Sequence, residues 1–210
     1  MTIPTESVTK ALKKFVEGLI GMGKPDAKQI QIRSRKPRAI RLKDDGATPN
    51  NPRCPLLVYR SPIELDSRFD PAAIFEAVFA KNRWKDSWRA QMYGFNHFHS
   101  GTHECLGVAR GKLVARFGGA KGRKVELKAG DVVIIPAGVG HNHIRQSKDL
   151  LIVGAYPANS GKYDDARPEE MDHKRALARI RKVRRPSTDP VYGSDGPLLA
   201  HWPIPKKPRA

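Results

Sequence analysis

The dominant pattern along the chain has a period of two. Glu104, Leu106 and Val108 share one face of an extended segment ending at Gly111, and Leu113, Ala115 and Phe117 repeat the pattern from Lys112 onward. Gly118-Gly-Ala-Lys-Gly122 has the composition of a hairpin turn. Val125 and Leu127 follow it, and Ala129-Gly130-Asp131 makes the next turn. The runs 132–135 and 150–153 are fully apolar strands, the first stopped by Pro136. Cys54 to Tyr59 is a short apolar strand. Ile30 and Ile32 alternate with polar residues over 29–33, and a strand over 89–95 follows Trp84 and Trp88. Short strands with turns at this frequency predict an all-β sandwich or barrel.

Helical spacing is confined to three places. Over residues 7–20, Val8, Leu12, Phe15, Val16, Leu19 and Ile20 share one face and Lys10, Lys13, Lys14 and Glu17 lie largely on the other. This predicts an N-terminal amphipathic helix that docks on its own domain or on a second subunit. Asp70-Pro71 opens an internal helix ending near Asn82, with Asp as N-cap and Pro at the first helical position. Residues 168–183 form a charged helix with a thin stripe of Leu177, Ile180 and Val183. The turn-rich segments 24–37 and 44–53 read as linker and loop. The expected organisation is an N-terminal helix and basic extension over 1–36, a barrel over 37–160, and a C-terminal helix and tail over 161–210 that packs on the barrel.

Composition agrees with a β-rich class, since 18 glycines and 17 prolines supply many turns. No apolar run approaches the roughly 18 residues of a membrane span. Lysines interrupt the N-terminal apolar stretch, so it lacks a secretory core and a cytoplasmic protein is the expectation. Two cysteines are too few for a disulfide framework, and Cys105 reads as a small buried hydrophobe. The formal charge of +18 is densest at the start: residues 1–43 carry 11 basic side chains against 3 acidic. A field of that sign attracts polyanions in a salt-dependent way but reads no sequence, so specific nucleic-acid binding is not expected.

The candidate chemistry lies between residues 97 and 141. His97 and His99 are two apart, so both imidazoles leave one face of a strand. Glu104 follows after a segment able to turn the chain, and His141 follows a Pro-x-Gly turn. If the sheet curls into a barrel, all four converge. Imidazoles with one carboxylate suit a single divalent transition metal (Fe, Mn, Ni, Co, Cu or Zn), and the absence of thiolates argues against a structural zinc site. Four protein ligands on an octahedral ion leave two positions for water, substrate or dioxygen. His103 adjoins Glu104 and on a regular strand faces the other way, so it is expected behind the ligands rather than among them. His143 is expected in the pocket. Tyr93, Phe95 and Phe98 are pocket or core aromatics, with the core expected. No residue identifies itself as catalytic.

These residues carry a resemblance to the cupins. The first cupin motif, G-x5-H-x-H-x4-E-x6-G, is matched at His97, His99, Glu104 and Gly111, but Gln91 stands in place of its leading glycine. The second, G-x5-P-x-G-x2-H-x3-N, is matched at Gly130, Pro136, Gly138 and His141, with Arg145 in place of the final asparagine. Over residues 38–202 the chain resembles the YjlB-like cupins more narrowly. Lys43-Asp-Asp-Gly, Pro49-Asn-Asn-Pro-Arg53, Ser87-Trp-Arg89, Phe117-Gly-Gly119, Gly154-Ala-Tyr-Pro157 and Asp189-Pro-Val-Tyr-Gly193 carry it. The resemblance implies a jelly-roll barrel with metal at its centre, often in a homodimer. It implies a small-molecule ligand or substrate without naming one. The reaction, if there is one, would be metal-dependent and of dioxygenase, isomerase or lyase type. The alternative is a non-catalytic binding or sensor barrel.

Overall fold

The structure, a computed structural model, describes residues 25–202. The helix expected over residues 7–20 lies outside the described residues. Among the described residues there are nine strands: β1 (Arg38–Ile40), β2 (Leu56–Tyr59), β3 (Trp84–Ala90), β4 (Glu104–Arg110), β5 (Lys112–Phe117), β6 (Arg123–Lys128), β7 (Val132–Ile135), β8 (His141–Gln146) and β9 (Leu151–Pro157). They form two antiparallel sheets, of order β1-β2-β7-β4-β9-β3 and β6-β5-β8. The helices are α1 (Pro71–Lys81), α2 (His173–Lys182) and α3 (Pro197–His201). The all-β expectation with a few flanking helices is borne out, as a double-sheet jelly roll.

The period of two decides which side chains fill the barrel. Leu106 and Val108 of β4 point inward, where they meet Leu113, Ala115 and Phe117 of β5 and Val125 and Leu127 of β6. Cys105 and Ala109, one step out of phase, point outward into a second core with Phe75 and Phe79 of α1. The larger sheet is therefore buried on both faces, which is why β2 and β7 are apolar at nearly every position. Each phenylalanine so buried contributes about 1.5–3 kcal/mol. Gly107 sets how closely α1 approaches: a Cβ there would come within 2.3 Å of the Phe75 ring.

The internal helix forms where its sequence signals place it. The Asp70 carboxylate accepts from the Ala72 N–H, Pro71 occupies the first turn, and Asn82 ends the helix. Arg83 then takes a left-handed conformation (φ 64°) and β3 begins at once. The strand expected over 89–95 is thus displaced toward the N-terminus, because the chain reverses at Arg83 and not after Trp88. A bulge between Lys85 and Trp88 hides its alternation: Lys85 pairs with Tyr156 but Trp88 with Gly154. Trp84 consequently enters the outer core and Trp88 packs against the inner one.

Three other segments differ from expectation. The strand over 29–33 is only an isolated bridge, Ile32 to Ile63. The charged helix is confined to α2 because Asp172 caps it, accepting from Arg175 N–H; its buried residues are Ala176 and Ile180, with Leu177 half-buried. The loop over 44–53 is buried at Thr48, Asn50 and Asn51. Asn50 (φ 52°) donates to the Lys43 and Gly118 carbonyls, and Asn51 donates to the Ala137 carbonyl. The loop so anchors the turn that precedes His141.

Candidate metal centre

His97 and His99 are delivered by two isolated bridges and not by a continuous strand. His97 exchanges backbone hydrogen bonds with His141, and Phe98 exchanges them with Ala166. Alternation still holds across the three residues. Phe98 points away and packs with Ala137, Ala166, Ala176 and Ile180, as expected of a core aromatic. His97 and His99 point inward, where His141 at the start of β8 meets them. One ligand atom from each lies within 4.8 Å of the others, and all three side chains are buried. Glu104 opens β4 beneath them, its Oε2 at 3.3 Å from His99 Nε2 and 3.4 Å from His141 Nε2.

The far side of two rings is already committed. His99 Nδ1 lies 2.6 Å from the Asp164 carbonyl and His141 Nδ1 3.1 Å from the Val139 carbonyl. A carbonyl only accepts, so each Nδ1 carries a hydrogen and Nε2 is the nitrogen turned toward the cluster. His99 Nε2 and His97 Nδ1 are buried with no hydrogen-bond partner among the described residues. His99 Nε2 is near Glu104 without hydrogen-bond geometry. Buried nitrogens in this condition cost free energy unless something outside the protein pairs with them.

Burial pulls His97 down to about 3, so it is neutral at ordinary pH. Burial also pulls on His99, but the Glu104 carboxylate beside it wins and raises it to about 9. Burial pushes Glu104 up, and His99 and His141 more than reverse that, holding the carboxylate ionised. A charge of that kind under three imidazoles favours a cation in their midst.

A cavity of about 390 Å³ opens onto the cluster. Tyr156 and Tyr163 stack at 5.4 Å in its wall and both meet the His99 ring edge-on. Trp88 Nε1–H donates to the Tyr156 hydroxyl at 3.0 Å. Burial, followed by the Glu104 charge, raises the Tyr156 phenol above its ordinary range, so it stays protonated. Tyr93 lines the cavity and is 50 % exposed, so it does not belong to the core. Phe95 stacks on Tyr93, and the Arg167 guanidinium lies 4.1 Å above the Phe95 ring.

His103 and His143 stand apart from the cluster. His103 accepts the Ala137 N–H on Nδ1 at 2.9 Å and packs on Trp202 at 4.6 Å. The His143 ring is tied to the Met92 carbonyl at 2.6 Å. Neither is among the residues lining the cavity. Sequence reasoning gave no role to Tyr156, Tyr163 or Asp164. The first stood within the Gly154–Pro157 signature. The other two lie in a polar segment with no periodicity to mark them.

Residues 91–153 match the family described as Cupin domain. Over 168 residues, 80% of this chain and 98% of the relative, the chain is 34% identical to the uncharacterized protein YjlB of Bacillus subtilis (strain 168). Solved structures similar to it include RmlC from Streptococcus suis in complex with dTDP-D-xylose, at 15% identity and TM-score 0.35, covering 60% of this chain and 72% of that one. Another is acireductone dioxygenase from Bacillus anthracis with cadmium ion in its active center, at 16% identity and TM-score 0.32, covering 43% and 61%.

Proposed function

The chain belongs to the family of Bacillus subtilis YjlB within the cupins, and on that premise we propose that His97, His99, His141 and Glu104 hold one divalent transition metal at which a small molecule is bound and transformed. The observation that carries this reading is His99. One ring nitrogen is fixed by the Asp164 carbonyl, and the other is buried, without a hydrogen-bond partner among the described residues, and turned to the cluster beside Glu104. Three imidazoles and a carboxylate favour a first-row transition ion over magnesium or calcium. When bound, such an ion supplies Lewis-acid polarisation of a ligand oxygen.

The chain's own residues do the rest. The Trp88 indole holds the Tyr156 phenol oxygen in place, which leaves the phenol hydrogen to be donated to Glu104 or to a ligand. Tyr93, Tyr156 and Tyr163 offer planar walls and restrict water around the ligand. Asp164 orients His99 from behind through its backbone carbonyl.

Purified without a metal-affinity tag, the protein is expected to carry close to one transition-metal ion per chain, or to regain one after chelation. Absence of stoichiometric metal in both preparations overturns the reading. His99→Ala is expected to lose most of the metal while His103→Ala retains it, and equal losses mean that the ligand set is misassigned. Oxygen uptake or product formation across a metabolite panel with the iron-loaded protein tests the transformation itself.

A further inference from the structure

Along β8, His141 stands at one end and Arg145 at the other, and a second cavity of about 1110 Å³ opens beside Arg145. It shares no lining residue with the cavity above the histidines. Its charged lining consists of Arg35, Arg60, Lys112, Lys128 and Arg145 against a single carboxylate, Glu126. Leu113 and Leu127 border it but, each 3 % exposed, turn their side chains into the barrel; the apolar surface turned outward beside Arg145 is that of Val114 in β5.

Among the described residues, only Arg60 of the five cations is neutralised. Arg60 Nη1 lies 2.6 Å from the buried Asp131 carboxylate and donates to the Glu126 carbonyl, which fixes the guanidinium in the rim. Among the described residues, the side chains of Arg35, Lys112, Lys128 and Arg145 make no hydrogen bond or ion pair. Gathering four unpaired cations around one concave surface costs self-repulsion that an anion would relieve. Arg145 is also where this chain departs from the cupin motif by placing a cation in the position of an asparagine.

We propose that this cavity binds a small, multiply charged phosphate compound, its phosphates taken by Arg145, Lys128, Lys112 and Arg35 and its remaining atoms laid against Val114. Arginine's fork suits two phosphate oxygens at once, and lysine serves as a point charge. The concavity fits a small molecule rather than the extended track of a nucleic acid. Both ends of the chain are net basic. Residues 1–24 carry four lysines against two glutamates, and residues 203–210 carry two lysines, an arginine and no acid. A second copy of the chain, at +18, brings the same sign of charge.

Titration calorimetry of the full-length, metal-loaded protein with inorganic pyrophosphate is the test. One saturable site is expected, weakening with salt between about 50 and 200 mM as phosphate contacts do. Arg145→Gln/Lys128→Gln is expected to bind pyrophosphate at least about tenfold more weakly, with metal content and melting temperature unchanged. The charge-matched control Lys121→Gln/Lys124→Gln, on residues that do not line the cavity, is expected to change binding by less than about twofold. Three results overturn the proposal: no saturable binding to the wild type, equal weakening in both double variants, or a short DNA duplex that displaces pyrophosphate with the same dependence on Arg145.

Discussion

His103 illustrates how two adjacent residues acquire opposite tasks. Glu104 faces into the barrel, and His103, one step along the chain, faces out beneath Trp202. Its Nδ1 accepts a backbone hydrogen, so the ring is neutral with its own hydrogen on Nε2. Burial lowers it from the usual 6.5 to about 3. A histidine lowered in this way stabilises the fold above its unfolded value and loses that contribution as pH falls toward the folded one. One such proton corresponds to a slope of about 1.4 kcal/mol per pH unit. His103→Asn, which keeps an acceptor, is therefore expected to show a shallower loss of stability than wild type between pH 6.5 and 4. Urea unfolding in the presence of chelator measures it, and parallel pH profiles for the two proteins would contradict the assignment. The inward placement of His97, His99 and Glu104 was legible because each follows from parity along an extended chain. The far-side partners of the rings were not, since Asp164 and Val139 contribute carbonyls and a carbonyl has no sequence signature.

At the scale of elements, the segment 162–166 does more than a connecting loop. The Asp164 side chain accepts from Ser100 N–H, Ser100 Oγ and Gly101 N–H at 2.8, 2.6 and 3.1 Å, while its carbonyl holds His99. Ala166 pairs with Phe98. A strap is thereby tied across the open side of the histidine cluster, and Tyr163 rides on it. Asp164→Ala is expected to loosen His99 and weaken metal affinity by about tenfold or more, as loss of support behind a metal ligand does. Competition with a chelator of known affinity reads this, and an unchanged affinity would remove the strap from the metal site. The strands with regular alternation, β4 to β6, were legible from sequence, as was α1 from Asp70-Pro71. β3 was not, because Asp86 (φ 53°) inserts a bulge that moves Trp84 and Trp88 to opposite faces. The buried loop over 44–53 was hidden for another reason: its asparagines look like turn residues, and only their long-range partners Gly118 and Ala137 make them interior ones.

For the molecule as a whole, a cation held as proposed, by groups from three separate stretches of chain, would link metal binding to the stability of the fold. Free metal at about a thousand times its dissociation constant adds about 4 kcal/mol to the folded state. Chelation is accordingly expected to lower the melting temperature by several degrees, and His99→Ala is expected to melt at one temperature with or without chelator. A chelator effect of equal size in wild type and variant would place the stabilising ion elsewhere. The C-terminal packing has a consequence in time. Trp202 is fully buried in the outer core, and its indole N–H reaches the Pro55 carbonyl across 147 positions. At synthesis rates of about 5–20 residues per second, the chain between those two residues takes on the order of ten seconds to make. Throughout that interval the outer face of the large sheet lacks Leu198 and Trp202, and the nascent chain depends on whatever in the cell shields unfinished surfaces until the last tryptophan emerges.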